Sequence, residues 1–323
     1  MLLEVEGLSV VIEGRRRHPF APRAMARILR DVSLHVAAGE TLGLVGESGS
    51  GKTTLGRAIL RRLPITTGRI SFQGEDITHL EGEALRQRRR HMQMIFQDPY
   101  ASLNPRRTVA EIIAEPLRAH GLGADRAAVA ARVAELIALV GLPGDAATRH
   151  PHAFSGGQRQ RVGIARALAM NPALVVADEP VSALDVSIRA QVINLMAETQ
   201  ARLGVAFLFI AHDLAVVRHI SHRIAILYAG TIVESGPRDA VFRTPRHPYT
   251  RALIAAVPIP DPRAERARGP AAVPAGEAPS PADETPGCRY ASRCPLVMAR
   301  CRVEAPLLRA TVQNHSVACW AAD

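Results

Sequence analysis

One lysine stands among the 40 Lys and Arg residues of the chain, and it lies in a glycine-rich stretch. This residue, Lys52, ends the run Gly46-Glu47-Ser48-Gly49-Ser50-Gly51-Lys52, and Thr53 and Thr54 follow it. A compact ammonium fits a tight turn against a phosphate, whereas a planar guanidinium is too bulky. The glycines let backbone N–H groups point at an anion, and the hydroxyl of Thr53 is a ligand for Mg²⁺. The spacing G-x-x-x-x-G-K-T therefore predicts a phosphate loop of the kind found in nucleotide hydrolases.

The stretches on either side of this loop have the character that the motif requires. The apolar run Thr41–Val45 predicts a strand before the loop, and residues 54–63 predict a helix after it. A Gly- and Ser-rich surface turn that matches by accident would not need this context. We therefore prefer the functional interpretation.

Two neighbouring carboxylates follow a second apolar run. Residues 174–177 predict a buried strand, and Asp178 and Glu179 come directly after it. Asp178 is expected to hold Mg²⁺ through water, and Glu179 to polarise the attacking water as general base. An acidic turn is the alternative, but it is a poor explanation in a chain that also carries a phosphate loop.

A third pattern, Phe154-Ser155-Gly156-Gly157-Gln158, opens a predicted helix. Ser155 and Gln158 form a capping box, which by itself indicates only the start of a helix. The glycine-rich N-terminus of a helix is also an anion site, so the two interpretations hold together. The pentapeptide resembles the signature of the ATP-binding-cassette (ABC) ATPases, with Phe154 in place of the family's usual leucine.

Three further stretches extend this resemblance to about residues 30–235. Gln97 matches the Q-loop, residues 182–185 match the D-loop, and His212 matches the switch histidine. The resemblance implies that Gln97 reaches Mg²⁺ and the attacking water, and that His212 contacts the γ-phosphate of ATP. It also implies a head-to-tail pair of cassettes, with each ATP between the phosphate loop of one and Ser155 to Gln158 of the other. In the mechanism that the resemblance implies, closure of this sandwich drives the transmembrane partners, and hydrolysis reopens it.

The chain departs from the family where adenine is expected to bind. Family members stack the base on an aromatic residue shortly after the first strand, whereas the matching stretch here is Ser9-Val10-Val11-Ile12. Phe20 is the candidate substitute. The departure predicts loose selectivity for the base of the nucleotide.

Finer resemblance points to importers of peptides. Residues 98–106, 178–187 and 247–250 resemble ATP-binding subunits of oligopeptide and dipeptide importers. This implies an ATPase that powers uptake of di- or oligopeptides, or of a related small solute, through two permease subunits. It also implies a second, non-identical ATP-binding subunit, an extracytoplasmic solute-binding protein and a peripheral place on the cytoplasmic face of the membrane. An ABC-type ATPase acting on nucleic acid or the ribosome is the alternative, but the chain has neither coiled-coil heptads nor a second cassette.

Strand-like and helical runs alternate along the chain, which predicts an α/β fold. The resemblance makes this fold a P-loop ATPase core with an inserted helical subdomain at about residues 81–165, all within an ATP-binding domain of residues 1–257. Residues 258–287 are predicted to be a proline-rich linker, and residues 288–323 a short cysteine-bearing module. Amphipathic helices are expected at residues 109–117 and 129–140, and a hairpin at residues 224–234.

The net charge of +10 is locally dense at residues 15–17 and 86–90. Such runs suit nucleic acid, an anionic membrane or an acidic protein, but no aromatic residues interleave with them, and we prefer a solvated arginine face. Residues 1–6 lack the basic and apolar regions of a secretory signal. The apolar residues 205–211 would span about 10 Å as a helix, against roughly 30 Å for a bilayer core. Membrane association is therefore expected to come from docking to another protein.

All four cysteines lie in the last predicted module, at Cys288, Cys294, Cys301 and Cys319. A cytosolic setting disfavours disulfides, and the spacing lacks the C-x2-C pairs typical of zinc modules. Cys294-Pro295 resembles the Cys-Pro of bacterial ferredoxins, and similar tails in the importer branch are linked to a [4Fe–4S] cluster. We rank the cluster first, zinc second and unliganded thiols third. Because the module lies beyond the linker, far in sequence from the ATP chemistry, we expect a structural or docking role for it.

Overall fold

The computed structural model describes residues 1–14, 25–257, 279–311 and 314–322, with the single positions 261, 263 and 266. The chain divides into two compact units, each made of three segments. The first unit comprises Met1–Leu3, Val36–Thr41 and Phe72–Ala211, and the second comprises Glu4–His35, Leu42–Ser71 and His212–Asp323. Within the described part of the chain, no helix has the length and apolar character needed to cross a membrane.

Strands and helices alternate through most of the chain, as the sequence predicts. The strands are β1 (Leu3–Glu13), β2 (Met25–Val36), β3 (Thr41–Val45), β4 (Thr67–Phe72), β5 (Glu75–Asp76), β6 (Met92–Ile95), β7 (Leu174–Asp178), β8 (Ala206–Ala211), β9 (Arg223–Tyr228), β10 (Thr231–Pro237), β11 (Arg309–Ala310) and β12 (Ser316–Val317). The α-helices are α1 (Lys52–Ile59), α2 (Gly82–Arg89), α3 (Pro99–Ser102), α4 (Val109–Ala119), α5 (Arg126–Leu139), α6 (Gly156–Leu168), α7 (Val186–Leu203), α8 (Leu214–Ile220), α9 (Arg238–Arg243), α10 (Pro248–Ala255) and α11 (Ala299–Val303). Two 3₁₀ helices span Gly144–Thr148 and Pro151–Ala153.

A parallel sheet forms the core of the first unit. Strand β7 lies between β6 and β8 and pairs in parallel with both, so that Asp178 is opposite Ile210. Every residue of β7 and β8 is buried. The prediction of strands covered on both faces is confirmed, and the carboxyl end of β7 carries Asp178.

Helices α4, α5 and α6 pack on one another in the first unit. Each begins at a side-chain cap: Thr108 and Glu111 form a capping box at α4, Asp125 accepts two backbone N–H groups at α5, and Ser155 caps α6. The caps satisfy backbone donors that the first helical turn leaves without partners. The helices predicted at residues 109–117 and 129–140 are confirmed, with small differences at their ends.

The second unit holds the stretch predicted as a phosphate loop. Strand β3 leads into it and pairs in parallel with β9, while β9 and β10 form the predicted antiparallel hairpin. Helix α1 starts earlier than predicted, at Lys52, and ends at Ile59. Arg61 adopts a left-handed φ of 55° just after it, a conformation that cannot continue a helix.

The C-terminal residues belong to the second unit and add strands to it. Strand β12 pairs antiparallel with β10, placing Glu234 opposite Val317, and β11 pairs with β12. Because each of these strands has only two residues, the sequence carries no periodic pattern for them and does not predict them. A buried polar contact lies beside them, since His315 Nε2 is 2.7 Å from Glu234 Oε1.

Candidate functional site

Three glycines shape the loop of residues 46–53 in the second unit. A Cβ atom at Gly46 would lie 2.1 Å from the carbonyl oxygen of Leu227, so no side chain fits there. Gly49 and Gly51 have φ values of 78° and 104°, in the left-handed region that favours glycine. Gly51 is also the N-cap of α1. With no side chain at that position, the first N–H groups of the helix and the positive end of its dipole are presented to the loop.

Lys52 is buried at the start of α1, and its ammonium crosses the loop. Nζ donates hydrogen bonds to the carbonyl oxygens of Gly46 at 2.7 Å and Glu47 at 2.8 Å. The hydroxyl of Ser50 is buried and has no hydrogen-bond partner within the described part of the chain. A buried hydroxyl without a partner in a loop of turned N–H groups fits a bound oxyanion.

Two residues for which the sequence predicts no role at this loop, Tyr249 and Arg293, hold its second residue, Glu47. The backbone N–H of Glu47 donates to the hydroxyl of Tyr249 at 3.0 Å. The guanidinium of Arg293 donates from Nη1 to both carboxylate oxygens of Glu47, at 3.1 and 3.0 Å. These partners lie 202 and 246 residues further along the chain, so no local pattern signals them.

In the first unit, Gln97 and Glu179 are brought together although 82 residues separate them. The side-chain amide of Gln97 donates from Nε2 to Glu179 Oε2 at 3.0 Å. Asp178 is 2% exposed at the end of β7, next to Glu179. The predicted base and its predicted orienting amide are therefore in direct contact.

Glu179 has an unusual backbone, with φ of 45° in the left-handed region. Its N–H donates to the carbonyl oxygen of Ile210 at 2.9 Å, and its own carbonyl oxygen accepts from the N–H of Ser182 at 3.3 Å and the Ser182 hydroxyl at 3.1 Å. A side chain rarely adopts this conformation unless its surroundings impose it, and such strain concentrates at functional sites. These backbone bonds hold the carboxylate beyond the end of the strand.

The start of α6, at Ser155 to Gln158, is the capping box that the sequence predicts. Ser155 N donates to Gln158 Oε1 at 3.0 Å, and Gln158 N donates to Ser155 Oγ at 3.4 Å. A Cβ atom at Gly157 would lie 2.3 Å from Ile188 Cγ2, so any larger residue there would force Ile188 to move. Ser155 itself is exposed. The turn therefore presents its hydroxyl at the surface of the first unit.

The other residues that the sequence predicts for the site are Thr53, Thr54, His212 and Phe20. Thr53 and Thr54 lie in the first turn of α1, and both are half-buried. His212 is exposed directly after β8, and its neighbour Asp213 caps α8. Phe20, the candidate for adenine stacking, lies outside the described residues.

The four cysteines lie in the C-terminal part of the second unit, with Cys301 buried and the others half-buried. The pKa of Cys288 is raised to about 11, mainly by burial and to a smaller extent by the other three cysteines, while a backbone hydrogen bond at Tyr290 acts in the opposite direction. The thiols are thus close enough to affect one another. Among the described residues, no group of three or more His, Cys, Asp or Glu side chains is arranged to hold a metal ion. The predicted iron–sulfur cluster has no support from this geometry.

Comparisons with known proteins agree with the resemblance seen in the sequence. The ABC transporter family matches residues 29–182, and the family described as the oligopeptide/dipeptide transporter C-terminal region matches residues 233–301. A Brucella ovis protein described as a peptide import ATP-binding protein is 48% identical over 308 residues, which are 95% of this chain and 96% of that protein. The oligopeptide transport ATP-binding protein OppF of Salmonella typhimurium is 46% identical over an alignment of 326 positions, which covers 100% of this chain and 97% of OppF.

A solved structure shares the fold. The dimeric post-hydrolysis state of the ATP-binding cassette MJ0796, bound to ADP and Pi, matches with a TM-score of 0.65 and 27% sequence identity, over 73% of this chain and 98% of that chain. Together with the sequence relatives, this match confirms the predicted α/β cassette fold. The chain therefore belongs to the ATP-hydrolysing subunits of the ABC transporter family, in the branch that carries the oligopeptide/dipeptide transporter C-terminal region.

Proposed function

We propose that this chain powers the import of di- or oligopeptides by hydrolysing ATP, with Glu179 as general base. The observation that carries the residue assignment is the hydrogen bond from Gln97 to Glu179, together with the left-handed backbone of Glu179 at the end of a buried strand. The peptide substrate is supported by the similarity to peptide import and oligopeptide transport ATP-binding proteins and by the match to the oligopeptide/dipeptide transporter C-terminal region.

The phosphate loop binds the triphosphate in this proposal. The N–H groups of residues 46–53 meet the α- and β-phosphate oxygens, and the ammonium of Lys52 reaches the β- and γ-phosphates. The Ser50 hydroxyl gains the partner that it lacks. The dipole of α1 adds to the attraction for the anion. His212 is proposed to contact the γ-phosphate.

In this proposal, residues of the first unit carry out the proton transfer. Glu179 accepts a proton from the attacking water, and Gln97 orients that water through its amide. Gln97 and Asp178, both in the first unit, offer oxygen ligands that suit Mg²⁺. When bound, Mg²⁺ neutralises charge that develops on the phosphates. Asp178 is buried beside Glu179, which suits a carboxylate whose charge is matched by a cation.

The proposed assembly has two ATP-binding subunits, two permease subunits and an extracytoplasmic solute-binding protein. Ser155 to Gln158 of one ATP-binding subunit would meet the ATP held by the other, and the exposure of Ser155 suits this role. We propose a non-identical ATP-binding partner and a peripheral position on the cytoplasmic face of the membrane. The oligopeptide/dipeptide C-terminal match supports the importer assignment over a nucleic-acid or ribosome ATPase.

A [4Fe–4S] cluster held by Cys288, Cys294, Cys301 and Cys319 is a further proposal. What supports it is the confinement of all four cysteines to one short segment of the sequence. Iron, sulfide and zinc should be measured in protein purified and kept without oxygen. Stoichiometric zinc without iron would favour the second-ranked alternative, and no metal at all would favour free thiols.

The substitution Glu179→Gln tests the assignment of the general base. Turnover of ATP should fall at least about a hundredfold, because the amide cannot accept the proton from water. Binding of ATP should persist, since the phosphate loop is unchanged. Glu198→Gln is the matched control, because it makes the same change at an exposed position on α7. Near-normal turnover in Glu179→Gln would contradict the assignment.

A further inference from the structure

The cysteine-bearing tail is in contact with the phosphate loop, although the loop ends more than 200 residues before the tail begins. Arg293 of the tail donates to both carboxylate oxygens of Glu47, the second residue of the loop. The side chain of Arg293 is 9% exposed and that of Glu47 is 35% exposed, so solvent screens this ion pair only in part. The sequence predicts a structural or docking role for the tail, far from the ATP chemistry. The contact with Glu47 instead links the tail to the phosphate loop.

Three buried tyrosines connect Arg293 to the rest of the second unit. The ring of Tyr290 packs edge-on against Tyr228 at 5.1 Å between centroids, and Tyr228 packs against Tyr249 at 4.5 Å. Arg293 Nη1 also donates to the hydroxyl of Tyr228 at 3.4 Å. A guanidinium held by buried rings keeps a narrow range of positions, because few rotamers are open to it.

The position of Glu47 affects the residue that carries the loop's positive charge. The ammonium of Lys52 donates to the carbonyl oxygen of Glu47 at 2.8 Å, so a movement of the Glu47 backbone moves a partner of Lys52. The Glu47 carboxylate is also a negative charge inside a loop that must attract a polyanion. Like charges at short range disfavour binding unless a cation offsets one of them.

We propose that Arg293 is a positioning residue for ATP binding: it neutralises Glu47 and holds it in place, so that the tail sets the affinity of the phosphate loop for ATP. The inference rests on the proposed phosphate-binding role of residues 46–53. Arg293 touches the loop and acts on ATP only through Glu47. The tail is thereby part of the nucleotide site.

The substitution Arg293→Gln should weaken binding of MgATP about tenfold, because the carboxylate of Glu47 is left uncompensated beside the phosphates. The double variant Arg293→Gln with Glu47→Gln should recover affinity to within about threefold, since the repelling charge is gone. Arg293→Lys, which keeps the charge, should lose less than Arg293→Gln. Arg302→Gln is the matched control, an exposed arginine of the same tail, and should bind ATP normally.

The measurements are the dissociation constant for MgATP on the full-length chain and the separate KM and kcat of hydrolysis, with thermal unfolding to check each variant. The loss should appear in KM rather than kcat. If Arg293→Gln unfolds, the double variant and Arg293→Lys still decide the question. Wild-type affinity in folded Arg293→Gln, or a double variant as weak as the single one, would overturn the proposal. Lys52→Ala separates the two hypotheses: if it does not weaken ATP binding, the phosphate-loop assignment itself is wrong.

Discussion

The phosphate loop and the C-terminal tail belong to the same unit, but different contacts determine their conformations. The loop is shaped mainly by its own residues: Gly49 and Gly51 adopt left-handed angles, and Lys52 bonds to carbonyl groups within the loop. The tail, in contrast, is held by residues far away in the chain. Its strand β12 pairs with β10, and its ion pair with Glu47 spans 246 residues.

This difference explains why the phosphate loop could be predicted from the sequence, whereas the position of the tail could not. Local constraints act between residues a few positions apart, so the residue types and their spacing report them directly. Long-range contacts depend on where the fold brings two segments together, and the spacing of residues along the sequence does not determine this. The tail was expected to be a separate module, and its place beside the loop is a property of the tertiary structure.

The largest effect should come from adding one methyl group to the loop. In Gly46→Ala the Cβ atom would lie 2.1 Å from the carbonyl oxygen of Leu227, so the backbone must move. ATP hydrolysis should fall by at least about a hundredfold, the effect of displacing reacting groups by about 1 Å. Steady-state hydrolysis and a nucleotide-binding titration would measure it.

Gly49→Ala is the matched control for this prediction. Nothing lies within 4 Å of a Cβ atom at that position, and the only penalty is a left-handed φ of 78°. That strain costs roughly 1–2 kcal/mol. If Gly46→Ala behaves like Gly49→Ala, the close approach of Leu227 does not limit the loop, and the loop depends on its own residues even more than on contacts with residues far along the chain.

A smaller effect is expected from weakening the buried contacts of Glu234, one of which is with His315 of the tail. This carboxylate is fully buried and accepts hydrogen bonds from the backbone of Arg246 at 2.8 Å and His247 at 2.9 Å, besides its contact with His315. In Glu234→Gln an NH₂ group replaces one carboxylate oxygen, so one of these donors loses its acceptor. The free energy of unfolding should fall by about 1–3 kcal/mol, the cost of an unsatisfied buried polar group.

Thermal unfolding and limited proteolysis of the tail would measure the effect of Glu234→Gln. The control Glu304→Gln changes an exposed carboxylate of the tail and should have little effect. Unchanged stability together with an unchanged pattern of cleavage would show that the tail does not depend on this buried contact. Increased cleavage of the tail with normal ATP binding would separate tail anchoring from support of the loop.

Much of the core was predictable because buried strands and amphipathic helices carry periodic patterns. The strands β7 and β8, the helices α4 and α5 and the β9–β10 hairpin were all expected from runs of apolar residues. The short strands β11 and β12 have two residues each, too few for any periodicity. The sequence also did not predict the left-handed backbone of Glu179, because a glutamate adopts that conformation only when neighbouring hydrogen bonds impose it.

The amino-acid sequence by itself determined the residue types that this ATPase needs: the glycines and lysine of the loop, the paired carboxylates after β7 and the capping box of α6. Each depends on neighbours in the chain or on one strand or helix. Only the tertiary structure decided which distant residues complete these groups. It brought Gln97 to Glu179 and Arg293 to Glu47. The physical reason is that a hydrogen bond or an ion pair requires its atoms to lie within a few ångströms, and across 82 or 246 residues only the packed fold sets that separation.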